Sequence, residues 1–302
     1  MTRASWGLSR VVRHIHPISG KDSLASALVM QASSPELPIE YVWHDVGWEL
    51  PESYAWIERV ENRLGAIHRC GRNLDEVVAE QGVLPSRLMR HCTKYGKILP
   101  MNKWLGGEPS VLYLGLRADE PDRIAGMESP KNQTLRFVLQ EMGIGLELVW
   151  EIVTNADLRP PQYTWQWMLT RVAELGWPEK PDDMKEWEWL SLFAGRTRNN
   201  CDRCFFKRLY EWVWLLETHP KRFTEACATE ASTQEASQYT WLNKSQGEYK
   251  PLESIIDRAA EIKEKRARQI VRYLSRRQQM NLFDVVDENS FGQTSCGVFC
   301  GK

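Results

Sequence analysis

Ile18-Ser19-Gly20-Lys21-Asp22-Ser23 is the stretch on which the reading of this chain turns. A short strand candidate, Val11 to Ile18, leads into it. A helical pattern, Asp22 to Gln31, leads out, with Leu24, Ala27, Leu28 and Met30 giving an apolar face. A strand that ends in a glycine turn and opens a helix is where phosphates bind in doubly wound folds, because exposed N–H groups and the helix dipole both favour an anion there. Gly20 lets the backbone approach a phosphate, Lys21 supplies a positive charge, Ser19 and Ser23 supply hydroxyls, and Asp22 can cap free amides. The string is not a Walker A loop, whose pattern G-x-x-x-x-G-K-[ST] it lacks. Taken alone, it is equally an ordinary capped turn with a solvated lysine.

Working outward, strands and helices alternate. Pro38 to His44 reads as a second strand, and Pro51 to Leu64 as a second helix with proline in its first turn. Gly65 to Cys70 and Ser110 to Leu116 read as further strands, Gln133 to Met142 as a helix, and Leu146 to Val153 as a last apolar strand. Such alternation predicts an α/β fold, a doubly wound parallel sheet with helices on both faces, over residues 1–158. Residues 159–302 change character. Pro160-Pro161 and Pro178 to Pro181 punctuate them, and helices are expected at Tyr163 to Leu175, Arg203 to Thr218 and Leu252 to Arg277. The polar stretch Thr224 to Lys250 reads as a mobile connection within a mostly helical C-terminal region.

Bulk composition sets limits. With 42% apolar and 26% charged residues the 302-residue chain can bury a normal core. A net charge of −1 argues against a globally basic nucleic-acid binder. No apolar run approaches the roughly eighteen residues of a membrane span. Arg3, Arg10 and Arg13 give the N-terminus some transit-peptide character, but the strand feeding the loop must begin near Val11, so a cytoplasmic enzyme is expected. The seven cysteines are odd in number, which in such a compartment points to metal or redox chemistry over a disulfide framework.

Three later segments sharpen the first. Trp43-His44-Asp45-Val46-Gly47-Trp48-Glu49-Leu50-Pro51-Glu52 resembles the DTG-x-E-x-P-E segment of phosphoadenylylsulfate (PAPS) reductases. Arg90-His91-Cys92-Thr93, with Lys94, Lys97 and Pro100, is similar to that family's cysteine, lysine and proline segment. Gly115-Leu116-Arg117-Ala118-Asp119-Glu120 with Arg123 is similar to its G-x-R-x-x-E-x-x-R segment, and the loop at Ser19 to Ser23 resembles the SGGKDS loop of the PP-loop, or adenine nucleotide alpha hydrolase, superfamily. The chain departs from the pattern at Ile18 and Ser19, where the family has Ser and Gly, and at Val46, where it has Thr. The resemblance implies ATP or PAPS across the carboxyl edge of the sheet. Ser19, Gly20, Lys21, Asp22 and Ser23 would hold its phosphates. Asp45 and Gly47 would face it from the second strand, Asp45 through the ribose or a magnesium ion, while Arg117 and Arg123 neutralise charge that builds on the leaving group and Glu120 is a further nucleotide contact. Lys21, Asp45 and Arg117 are the expected catalytic residues. For the arginines, ion pairs with Asp119 or Glu120 are the bland alternative.

Cys201 and Cys204 form one close pair, and Cys296 and Cys300 another. Together they make a four-thiolate set, the ligand count of a 4Fe-4S cluster or a structural zinc. Clusters held by such pairs in sulfur-handling relatives favour iron–sulfur, and Cys92 is an alternative ligand. Cys296 also fits the C-terminal nucleophile of the reductases, although the Glu and His of their Glu-Cys-Gly-x-His string are missing. The segment Lys263 to Arg277 is basic enough to meet nucleic-acid phosphates, although a solvated helix with ion pairs is the plainer reading. The fourteen tryptophans are expected mainly in the core or at domain junctions. Two functions follow. One is an enzyme that reduces an adenylyl sulfate or splits ATP between its α and β phosphates for sulfur transfer, served by a sulfur or electron donor protein. The other is a non-catalytic nucleotide- or nucleic-acid-binding module with a degenerate loop.

Overall fold

The structure is a computed structural model and describes residues 12–124, 127–161, 166–177, 179–196, 199, 201–233, 239–242 and 250–279. Its centre is a five-stranded parallel sheet in the order β3-β2-β1-β4-β5. The strands are β1 (Arg13–Pro17), β2 (Ile39–His44), β3 (Ile67–Cys70), β4 (Ser110–Tyr113) and β5 (Gln133–Arg136). β1 lies in the middle, with His14 in register with Ile39 of β2 on one side and Val111 of β4 on the other. The strand order therefore reverses beside β1, which puts the loop after it at the place where doubly wound sheets open a crevice.

α1 (Lys21–Ser33) is buried continuously from Lys21 to Leu28 because it is enclosed between the sheet and two further helices. These are α2 (Pro51–Leu64) and α7 (Leu146–Asn155), which join Tyr41 and Trp43 of β2 in one apolar layer. Alternation along the strands sends Ile15, Val42 and Leu112 to the opposite face, against Met101 and Leu105 of α5 (Leu99–Leu105). Both faces are thus covered, as a parallel sheet requires. Between them α3 (Leu74–Gln81), α4 (His91–Thr93) and a π-helical turn (Lys94–Ile98) carry the chain from β3 to α5.

Three expectations need correction. Leu146 to Val153 is helical, not a strand: Val149, Trp150 and Val153 point inward at helical spacing, while Glu147 and Glu151 lie outside. Gln133 to Met142 is not one helix. Its first four residues pair with β4 as an edge strand of alternating burial, and only α6 (Val138–Glu141) is helical. Thr224 to Lys250 is no plain connection, because α11 (Pro220–Thr233) covers its start. There Phe223, Ala226, Thr229, Glu230 and Thr233 make a buried stripe, and the Glu230 carboxylate accepts from the amides of Trp241 and Leu252 at 2.6 Å each.

The C-terminal region is helical: α8 (Leu169–Glu174), α9 (Glu186–Phe193), α10 (Leu209–Thr218), α11 and α12 (Ile255–Gln279). It does not stand apart from the sheet. One apolar cluster joins Val46, Trp48, Leu74 and Val77 to Trp212, Val213, Leu215 and Phe223. Most described tryptophans fall in such shared cores, as expected.

Candidate functional site

The loop after β1 is held by its own serine. Ser23 Oγ accepts the backbone N–H groups of Ser19 at 2.8 Å and Gly20 at 3.1 Å. Asn199, from the C-terminal region, donates its Nδ2 to the Ser19 carbonyl at 2.8 Å and so ties the two halves together at this point. Gly115, just beyond β4, lets that loop lie against the first turn of α1: a Cβ there would stand 2.5 Å from the Ser23 nitrogen. Gly71 does the same beside β2, where a Cβ would meet the Asp45 carbonyl oxygen at 1.8 Å.

Lys21 and Arg117 are brought together, but not toward solvent. The Lys21 ammonium, only 5% exposed, donates to both oxygens of Asp22 at 2.8 and 2.9 Å. Burial lowers its pKa, against the pull of Asp22. Arg117 is completely buried and donates to Asp22 at 3.1 Å and to Asp119 at 2.8 Å, with Glu120 at 3.6 Å. Arg123 donates to Glu120 at 2.8 Å. Burial works against the Asp22 carboxylate, but Lys21 and Arg117 outweigh it and hold its pKa below the usual range. The expected phosphate cations are therefore engaged with the molecule's own carboxylates, and a phosphate would have to displace Asp22 to reach either one.

Asp45, half-buried at the end of β2, accepts from the Gly47 amide at 3.0 Å and the Tyr54 hydroxyl at 2.8 Å. Beside it lies a cleft lined by Ile18, Ser19, Trp43, His44, Glu49, Lys97 and Asn199. Of the expected contacts only Ser19 lines it directly. His44, Glu49, Lys97 and Asn199 were not singled out from sequence as site residues. His44, Glu49 and Lys97 sit inside the quoted motifs, which was their only signal, and Asn199 had none. His44 is 4% exposed and its Nε2 has no hydrogen-bond partner. Burial, assisted by Lys97, pushes its pKa down to about 3, so it meets a ligand as neutral imidazole. Glu49 is 6% exposed, and burial raises its pKa against the opposing effects of Lys97 and Arg196.

The thiols gather nearby. Cys201 and Cys204 share a hydrogen bond, and Cys204 raises the pKa of Cys92 as well, after burial itself. Between them in sequence Asp202 is fully buried, with neither carboxylate oxygen hydrogen-bonded and with Arg203 at 3.6 Å and Arg222 at 3.5 Å. The Lys207 ammonium is likewise buried without a hydrogen-bond partner. Thiolates suit a thiophilic metal, yet among the described residues no group of three or more His, Cys, Asp or Glu side chains is arranged to hold one. Cys296 and Cys300 lie outside the described residues. The structure thus offers one half of the four-thiolate set and does not test the other.

α12 buries Ile262, Ala267, Ile270 and Leu274 and spends much of its charge internally. Lys263 pairs with Glu217 at 2.7 Å, Arg268 with Glu264 at 2.7 Å and Arg277 with Asp183 at 3.0 Å, while Arg266 is buried and donates to the Leu192 carbonyl. Lys265, Arg272 and Arg276 remain exposed. No helix among the described residues is long and apolar enough to cross a membrane.

No curated protein matches the sequence. Among solved structures, the chain is similar to the phosphate complex of phosphoadenylyl-sulfate reductase from Candida auris, at 14% identity and a TM-score of 0.39, covering 59% of this chain and 85% of that one. The family described as the phosphoadenosine phosphosulfate reductase domain matches residues 13–134, the span from β1 into β5 that holds the loop, the cleft and the Arg117 network. Residues 13–134 are thus similar to the phosphoadenosine phosphosulfate reductase domain.

Proposed function

We propose that the protein binds an adenine nucleotide in the cleft at the carboxyl edge of β1 and β2 and acts on its phosphate or sulfate end. One observation carries this reading: a buried, neutral His44 whose Nε2 lacks a partner faces a cleft that also presents Ser19, Glu49, Lys97 and Asn199. A buried polar atom without a partner costs free energy unless a ligand or water completes it. A concave site with a few convergent polar groups at the edge of a parallel sheet is where such a ligand belongs. Ser19, Lys97 and the amides at the start of α1 would receive the phosphate end. Gly20, Ser23 and the Lys21–Asp22–Arg117 network would hold the loop in shape for it, with Gly47 placing Asp45, and with Glu120 and Arg123 bracing the network from β4.

Two reactions fit a nucleotide so held: reductive release of sulfite from an adenylyl sulfate, and cleavage of ATP with release of pyrophosphate for sulfur transfer. A 4Fe-4S cluster or zinc on Cys201 and Cys204, completed by Cys296 and Cys300, belongs to the same reading and would supply redox or Lewis-acid chemistry next to Glu49. The exposed cations of α12 would serve a nucleic-acid acceptor. The alternative, a binding module without turnover, draws support from the self-neutralised Lys21 and Arg117. Assaying the full chain for nucleotide binding by calorimetry, and for pyrophosphate and sulfite release in parallel, separates these readings. Binding with either product is expected; binding without product favours the module, and no binding of ATP or PAPS defeats the assignment.

A further inference from the structure

The chain carries an apolar knob on the segment that leads to its thiols. Ser86 to Met89 form a tight turn closed from both ends. The Ser86 amide donates to the Met89 carbonyl at 3.0 Å, and the Met89 amide donates to the Ser86 hydroxyl at 3.0 Å. The turn holds Leu88 at its tip, 96% exposed, with Met89 38% exposed beside it. Exposed apolar side chains scattered singly are ordinary, whereas grouped ones mark a contact site. Here they are grouped. The Arg87 guanidinium lies 5.6 Å from the centre of the half-buried Phe206 ring, and Leu209, 42% exposed, opens α10 just after it. The same segment reaches the thiols, since Leu84, Cys92 and Tyr95 share one apolar cluster with Cys201 and Phe205.

The charge around the knob has one sign. From Gly82 to Gly107 the sequence contains no Asp or Glu, yet it carries Arg87, Arg90, Lys94, Lys97 and Lys103. Arg87 and Lys94 are exposed. Arg87 rests on Phe206, Lys94 lies 5.1 Å from the centre of the Tyr95 ring, and Arg90 donates to the Thr93 hydroxyl at 3.4 Å, so none of the three spends its charge on a carboxylate among the described residues. The carboxylates of α3, which packs against this segment, are engaged elsewhere: Asp75 with Arg203 at 2.6 Å, Glu76 with Arg72 at 3.5 Å, and Glu80 also with Arg72. An apolar centre with a cationic rim is the complement of an acidic protein face around an apolar socket. Leucine and methionine offer no flat ring for a nucleobase, and Arg87 covers Phe206, so single-stranded nucleic acid is the poorer fit. A turn already closed by its own hydrogen bonds loses little freedom on binding.

We propose that the Ser86–Met89 turn, with Phe206 and Leu209, is a docking surface for a protein whose own face sets carboxylates around an apolar socket, seating that protein beside the segment of Cys92, Cys201 and Cys204. The proposal goes beyond the nucleotide reading and holds whatever occupies the cleft. Photocrosslinking from the knob tests it. The full chain with Leu88→p-benzoylphenylalanine is irradiated in an extract of its source cells, and the captured molecule is identified, purified and titrated against the unmodified chain by calorimetry. An acidic protein is expected, binding more weakly as salt rises. Leu88→Ser should weaken it about tenfold or more, as loss of a central apolar contact does, and the double variant Arg87→Glu with Lys94→Glu should weaken it further. Leu148→Ser, which removes an exposed leucine of α7, should bind as the parent does. Leu88, Arg87 and Lys94 lie at the surface, so all three variants should match the parent in urea unfolding. Absence of any crosslink, crosslinks to nucleic acid alone or to a second copy of this chain, or a captured protein that binds Leu88→Ser as tightly as the parent would each overturn the proposal.

Discussion

Lys21 is the residue whose meaning changed most between sequence and structure. Its type and place in the loop were legible, since a glycine turn between strand and helix calls for a cation. Its direction was not, because Arg117, from a distant part of the chain, completes the pocket that turns it inward. Removing one partner of a buried ion network costs about 3–5 kcal/mol. Lys21→Ala leaves Asp22 with Arg117, whereas Asp22→Ala strands the Lys21 ammonium outright. Both variants should therefore lose stability in urea unfolding, Asp22→Ala the more; a Lys21→Ala protein as stable as the parent would mean that the cation is not in this network. His44 was legible only as a letter inside a motif. Its folded pKa of about 3 lies below the unfolded value near 6.5, so below that value the unfolded chain binds a proton that the native chain does not. Stability is then fully present above pH 6.5 and falls as pH drops toward 3, by about 2 kcal/mol at pH 5. His16, whose burial lowers its pKa to about 4, adds in the same direction. Unfolding midpoints at pH 7 and pH 5 should differ less in His44→Gln than in the parent, and an equal difference would place the imidazole in contact with water.

At the scale of elements, periodicity carried most of the reading. β1, β2, β3, β4, α1 and α2 fall where strand-to-helix alternation expects them. The misread pieces are those whose pattern is decided by neighbours. Leu146 to Val153 is apolar enough to suit either state, and only its packing on α1 selects the helix. Gln133–Arg136 is polar, and becomes a strand because β4 offers a free edge. Gly115 belongs to this scale, since it sets the distance between the loop after β4 and the first turn of α1. A side chain there would meet backbone atoms of Ser23 and Asp22 at 2.5 to 2.7 Å, and backbone cannot give way cheaply. Gly115→Ala should cost roughly 1–3 kcal/mol, as overpacking does, and weaken nucleotide binding by displacing the amides of α1. Gly145→Ala is the control: a Cβ there meets only Asp119, at 3.8 Å. Equal behaviour of the two variants in calorimetry and urea unfolding would remove the loop after β4 from the site.

Across the whole molecule, the sheet and the helical region meet at the Cys201–Cys204 loop. Arg203 within that loop donates to Asp75 of α3 at 2.6 Å and to Glu225 and Thr229 of α11 at 2.8 and 2.9 Å, and its guanidinium lies over Trp48. The pairing of the cysteines was legible from spacing; their placement beside Cys92 and the cleft was not, because it depends on how the C-terminal region folds back. This placement makes the metal question one about the entire chain. A thiolate ligand couples metal binding to local folding, so losing one ligand should loosen whatever the centre pins. Anaerobically purified protein should be brown if the centre is iron–sulfur, or colourless with bound zinc if it is not. Cys204→Ser should lose the metal and render the chain after Tyr249 sensitive to protease, whereas Cys70→Ser, in the core beneath the sheet, should do neither. Parallel metal analysis of Cys92→Ser and Cys296→Ser then identifies the set. Loss in Cys296→Ser with retention in Cys92→Ser supports the four-thiolate centre, and the reverse moves it to Cys92, Cys201 and Cys204. Protein without metal in any form leaves the dithiol as such against the cleft, and the four-ligand proposal fails.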